Sequence, residues 1–149
     1  MKKNFIITIA LFVFVCVSGI ALAAINSPKH PSDYHIGINY DSALKSDKPM
    51  LIVFYADWCT YCLKFMPKFY TLSKLYGSKF NFVMLNAEEN AQNVKLANDT
   101  GIVGFPTVYI LDPKYNNKVL LSNSIYQDLS KFRKELDRYL RIRDLLDKK

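Results

Sequence analysis

A chain of 149 residues that is 50% hydrophobic and 14% aromatic can fill a core, which excludes a disordered protein and argues for one domain. Five glycines and six prolines, with no internal repeat, heptad run or low-complexity tract, exclude fibrous and repeat architectures. The formal charge of +7 includes Lys2 and Lys3 at the extreme start, and the rest is scattered, so nothing points to a nucleic-acid partner.

The first residues form a unit of their own. Met1-Lys2-Lys3 is a basic start, Phe5 to Val17 is apolar except for Thr8, and Ala21-Leu22-Ala23 supplies the small residues a signal peptidase reads. Residues 1–23 therefore read as a secretory signal peptide cleaved after about Ala23, with an uncleaved N-terminal membrane anchor as the alternative. A lipid anchor fits less well, because Val15 precedes Cys16 where a small residue is wanted. The implied compartment is periplasmic or otherwise extracytoplasmic, in a bacterium, and oxidising. Residues 24–38 read as an N-terminal arm, loose because AINSPKHPSDYH is polar, carries two prolines and has no period.

From there the elements alternate. A short helical turn is expected over Tyr40–Lys45, ended by Asp47-Lys48-Pro49. Met50–Tyr55 (MLIVFY) is apolar throughout, which predicts a strand buried on both faces and hence central in a sheet. From Cys59 onward Leu63, Met66, Phe69 or Tyr70, Leu72 or Ser73, and Leu75 follow helical spacing, with Pro67 expected to kink the helix and Gly77 to stop it. Phe80–Leu85 reads as a second strand and Glu88–Asn98 as a helix with acids in its first turn. Thr107–Leu111 is a third strand, Asp112-Pro113 and Asn116-Asn117 mark turns, and Val119–Leu121 returns as a hairpin partner. Leu129, Phe132, Leu136 and Leu140 line one face of a last helix. Its basic stretch, Lys131 to Arg143, is interrupted by Glu135 and Asp137 and reads as a solvated face, with room for a weak attraction to anionic membrane surfaces. The order β-α-β-α-β-β-α predicts an α/β fold, a four- to five-stranded mixed sheet flanked by helices. In such sheets sites form beyond the carboxyl ends of strands, where Cys59 falls.

Removing the leader takes Cys16 away and leaves Cys59 and Cys62, two residues apart. A bridge between them closes too short a loop to serve as a staple. At a helix start, Cys59 points its sulfur at unpaired N–H groups and the positive end of the dipole, which favours thiolate. Cys59 is thus expected to be the exposed nucleophile and Cys62, one turn inside, the resolving thiol. Half a zinc site is the competing reading, with His30 and His35 as the remaining candidate ligands. Both histidines lie in the arm and no second C-x-x-C is present, so no metal is assigned.

YADWCTYC, the proline at 67 and Gly101-Ile102-Val103-Gly104-Phe105-Pro106-Thr107 together resemble the thioredoxin superfamily, at its W-C-x-x-C motif, helix proline and G-x-x-G-x-P-T segment. The similarity runs from about Asp47 to Leu140, so that 39–149 is the thioredoxin-like domain. KPMLIVFYADWCTYC looks closest to the C-terminal periplasmic domain of the transmembrane reductase DsbD and to small exported thioredoxin-like proteins. The resemblance implies a thioredoxin fold and a thiol–disulfide oxidoreductase whose catalytic pair, Cys59 and Cys62, cycles through a Cys59–Cys62 disulfide. It implies that Pro106 is a cis-proline shaping the substrate groove, that Phe105 offers backbone groups to an extended peptide, and that Trp58 forms an apolar wall.

There are departures from the family pattern. A buried aspartate and a nearby lysine are replaced by Val53 and Met84, which leaves Asp57 or water to handle the proton of Cys62. A glycine common after the hairpin is missing around Ser122–Ile125. Thr60 and Tyr61, between the cysteines, carry no charge, so a modest pKa depression is expected. A potential nearer thioredoxin's, about −270 mV, than the strong oxidant DsbA's, about −120 mV, follows. The expectation is a reductase acting on protein thiols and disulfides, without a cofactor of its own, since no nicotinamide or flavin motif is present. Its electrons would come from a membrane donor of DsbD type. A disulfide oxidase or isomerase, or a metal-binding or redox-inert adaptor, are the alternatives.

Overall fold

The computed structural model describes residues 28–148, so the signal-peptide reading of residues 1–23 lies outside the described residues. Four strands form one sheet in the order β2-β1-β3-β4, with β1 Met50–Tyr55, β2 Asn81–Asn86, β3 Thr107–Asp112 and β4 Asn117–Leu121. β1 runs parallel to β2 and antiparallel to β3, and β3 runs antiparallel to β4. The helices are α1 Tyr40–Leu44, α2 Thr60–Tyr76, α3 Ala91–Thr100, α4 Asn123–Tyr126 and α5 Leu129–Asp147. Among the described residues, no helix is long and apolar enough to cross a membrane.

The apolar run of β1 explains its place at the centre. All six of its residues are buried, because side chains alternate between two covered faces. Leu51, Val53 and Tyr55 pack with Phe65, Phe69 and Leu72 of α2 and Phe132 and Leu136 of α5. Met50, Ile52 and Phe54 join Val83 and Leu85 of β2, Ala43 of α1 and Ala97 of α3 on the other face. Burying each of the large side chains stabilises the fold by about 1.5–3 kcal/mol relative to exposure. Because the core holds β1 from both sides, its C-terminal end, where the cysteine turn begins, is rigidly placed.

Several local expectations are corrected. α3 starts at Ala91, not Glu88, because Asn90 supplies the cap by accepting the Asn93 N–H at 2.9 Å. Glu88 and Glu89 stay in the preceding turn, and Asn86 Oδ1 takes the Glu88 N–H at 3.1 Å. Gly77 follows α2, yet it keeps right-handed φ −61° and does not use a glycine's special freedom. The helix ends because the N–H groups of Lys79 and Phe80 both fold back on the Tyr76 carbonyl. Pro67 sits inside α2 without ending it.

The described part of the arm, residues 28–38, is not loose. Pro31–Tyr34 forms a 3-10 turn, in which the Asp33 carboxylate accepts the N–H groups of Lys29 and His30 at 2.8 and 2.9 Å. Pro31 and Ile36 are buried, and Ile36 belongs to the α2-side core. Gly37 has φ +82°, and a Cβ there would lie 1.9 Å from the Phe82 carbonyl oxygen. Only glycine lets the chain approach β2 so closely, and Ile38 then donates to that same carbonyl at 2.9 Å. Polar composition hid the burial of Pro31 and Ile36 and the close approach at Gly37.

Candidate active site

β1 ends at Tyr55, and the turn Ala56-Asp57-Trp58 leads into α2 with Cys59 as its N-cap. A sulfur in that position accepts what a cap oxygen would accept: Cys59 Sγ takes the Cys62 N–H at 3.1 Å. The two cysteines are joined by a disulfide, with Cα atoms 5.2 Å apart. Cys62 is fully enclosed, and Cys59 is only 5% exposed. An openly exposed Cys59 is therefore corrected: the bridge and the cap turn its sulfur toward the helix, and one edge of the residue borders a groove.

That groove, about 510 Å³, brings Trp58, Cys59, Thr60, Tyr61 and Phe105 together, with Ile102 and Val103 on its far side. Trp58, Tyr61 and Val103 stand out from the surface. The edge-to-face contact of Trp58 with Phe105, ring centres 6.0 Å apart, ties the two walls together. Pro106 is buried behind the groove, next to Phe105, and the peptide bond between them is cis. Thr107 Oγ1 donates to the Gly104 carbonyl at 2.7 Å and folds this loop onto itself.

Asp57 is not brought to the groove. Its Oδ1 accepts the Ser32 N–H at 3.1 Å and its Oδ2 accepts Asn86 Nδ2 at 3.1 Å, so its carboxylate joins the arm to the end of β2. Val53 and Met84 are direct partners in the β1–β2 register. Val53 is fully buried among apolar groups, and Met84 Sδ takes the Ile36 N–H at 3.4 Å. No carboxylate is therefore set beneath the cysteines at this register, and no buried charge is left uncompensated there.

Residues missed by sequence reasoning complete the frame. Trp58 Nε1 donates to Glu88 Oε2 at 2.8 Å, and Tyr126 Oη donates to the Pro106 carbonyl at 2.8 Å. Burial, with Asp57 and then Glu89 nearby, pushes the Tyr55 hydroxyl up to about 12, so it stays protonated under the turn. Asn86 ends β2 and Glu88 follows it, within a polar run, NAEEN, which marks a turn but names no partner. Among the described residues no group of three or more His, Cys, Asp and Glu is arranged to hold a metal ion, and His35 Nδ1 lies 2.8 Å from the Asp33 carbonyl.

A mixed sheet whose central strand feeds a C-x-x-C disulfide at a helix start, faced by an X-Pro loop, defines a thioredoxin-fold protein. The Thioredoxin family profile matches residues 34–135, and the chain belongs to that family. It is 37% identical over 79 residues to the chloroplastic thioredoxin-like protein HCF164 of Arabidopsis thaliana, covering 53% of this chain and 30% of that one. It is 47% identical over 49 residues to the thiol:disulfide interchange protein TxlA homolog of Synechocystis, covering 33% of this chain and 27% of that one. The chain thus spans less than a third of the length of these relatives. Among solved structures it is similar to the thioredoxin Deadhead of Drosophila melanogaster, at TM-score 0.54 and 20% identity, over 75% of this chain and 96% of that one. This last likeness concerns the fold.

Proposed function

We propose that the chain is a thiol–disulfide oxidoreductase that exchanges disulfides with protein substrates through Cys59 and Cys62, working outside the cytoplasm as a reductase. One observation carries the reading: the Cys59 sulfur caps α2, accepting the Cys62 N–H, while bordering an apolar groove. In the reduced protein the same N–H and the helix dipole stabilise a Cys59 thiolate. That thiolate attacks one sulfur of a substrate disulfide, forming a mixed disulfide and expelling the other sulfur as a thiolate, which takes a proton from water. Cys62 then loses its proton, attacks Cys59 Sγ and expels the second substrate thiolate. Two electrons pass from the dithiol to the substrate, and the protein is left as the Cys59–Cys62 disulfide. Phe105 and Pro106 border the line along which an extended peptide would pair, and Trp58 and Tyr61 cover its side chains.

The direction follows from what surrounds the sulfurs. Thr60 and Tyr61 add no positive charge between the cysteines, and Val53 is apolar, so the thiolate is held mainly by the helix end. Reductase direction needs a dithiol donor to reopen the disulfide, and a membrane protein of DsbD type is the partner this chemistry asks for. Residues 1–23, read as a signal peptide, support the extracytoplasmic location, and the name of TxlA, a thiol:disulfide interchange protein, supports the chemistry. Equilibration with glutathione or dithiothreitol tests the direction. A potential of about −250 mV or lower is expected, and one above about −180 mV would make the protein an oxidase or isomerase.

A further inference from the structure

Tyr126 closes α4 directly after Ser122–Ile125, where the family resemblance leads one to expect a glycine and this chain has none. Its side chain is buried, and its hydroxyl donates to the carbonyl of Pro106, twenty residues earlier in the chain. Pro106 lies just outside β3, whose ladder with β1 starts at Thr107, so the tyrosine takes up a carbonyl where sheet pairing begins. The same ring meets Phe65 edge-on, with centres 5.5 Å apart. Phe65 follows Cys62 by three residues on α2 and stacks on Phe132 of α5. One side chain thus touches both halves of the site: the helix that carries the cysteines and the loop that carries Phe105 and Pro106. Burial raises the Tyr126 hydroxyl pKa, so it remains a donor at any working pH.

Resting on the exchange reading, we propose that Tyr126 is a positioning residue, which fixes the peptide-pairing edge at Phe105 against the Cys59–Cys62 pair and thereby favours polypeptide disulfides over small ones. The hydroxyl does not meet the sulfurs. Its loss leaves the thiol chemistry intact and frees the loop to shift relative to α2. A small disulfide needs only Cys59 and is indifferent to that shift. A polypeptide also needs the backbone edge, and loses affinity when the edge is not held at the right distance from the sulfur.

Tyr126→Phe removes the hydroxyl and keeps the ring on Phe65. The full chain and the variant are compared on insulin, as a protein disulfide, and on dithiobis(nitrobenzoate), as a small one. The expected result is a KM for insulin raised about fivefold, the range one buried hydrogen bond commands, with kcat and the rate on the small disulfide within about twofold. The reduction potential should not move, and amide exchange at Phe105 should quicken while that of Cys62 stays slow. An unchanged KM for insulin, or an equal loss on both disulfides, would overturn the assignment. If the unaltered chain exchanges with neither disulfide, the exchange reading itself is lost and this inference with it. A functional wild type beside an indifferent variant sinks only the role of Tyr126.

Discussion

Cys59 keeps 5% of its surface and borders the groove, whereas Cys62 has none, so an incoming disulfide meets one sulfur first. On the proposed exchange reading, such asymmetry orders the chemistry: attack by Cys59, then resolution from within. Cys62→Ser should accumulate mixed disulfides linked through Cys59, seen as higher bands on non-reducing gels and identified by mass spectrometry. Cys59→Ser should accumulate none. Equal trapping by both variants would remove the assigned roles, and trapping by neither would favour a redox-inert adaptor. The apolar Val53–Met84 pair has a second effect at this scale. With no carboxylate at that register, and the Asp57 oxygens taken up by Ser32 and Asn86, the proposed exchange has to pass the proton of Cys62 to water.

Among the elements, α5 is the one whose attachment needs explanation, since its outer face is charged and solvated. Part of the answer is Asp112, fully buried at the end of β3, which accepts Arg143 Nε at 2.7 Å and Tyr139 Oη at 3.3 Å. Its other oxygen accepts the Lys114 N–H at 3.2 Å. Arg143 also donates to the Asp47 carbonyl, so one guanidinium joins the last helix to both β3 and the approach to β1. Arg143→Met leaves the buried carboxylate uncompensated and should cost about 3–5 kcal/mol in urea unfolding, whereas a loss under about 1 kcal/mol would mean that water already serves Asp112. At the other end of α5, the N–H groups of Lys131 and Ser130 hold the Asp128 carboxyl below its usual 3.8. A lowered folded pKa means that the unfolded chain binds the proton more readily. The cap's contribution is therefore complete above about pH 4 and fades as pH falls through the folded value. Denaturation midpoints measured from pH 6 down to pH 3 should decline over the lower half of that range, and less so in Asp128→Asn.

Across the whole molecule, the parts that were legible are those with a local signature. MLIVFY announced a strand covered on both faces, and W-C-x-x-C and G-x-x-G-x-P-T announced the two halves of the site, because each fits in a window of a few residues. What stayed hidden pairs residues far apart: Tyr126 with Pro106, Arg143 with Asp112, Trp58 with Glu88, Ser32 with Asp57. A tyrosine in SNSIYQD or an arginine in a basic helix carries no mark of its partner, since the fold alone sets that distance. The arm was misjudged for a related reason. Its buried residues, Pro31 and Ile36, are two among polar neighbours, too few to set a period.

Trp58 is the chain's only tryptophan, and it shares a groove wall with Cys59. An excited indole gives up an electron readily to a neighbouring disulfide and much less readily to thiols. The protein therefore contains its own optical gauge. The indole emission should brighten when the pair is reduced and dim when it is reoxidised, with no label attached. Titrating that signal against dithiothreitol would read the potential directly, and in Cys59→Ser, which forms neither the internal bridge nor a mixed disulfide beside the indole, the dithiothreitol response should vanish.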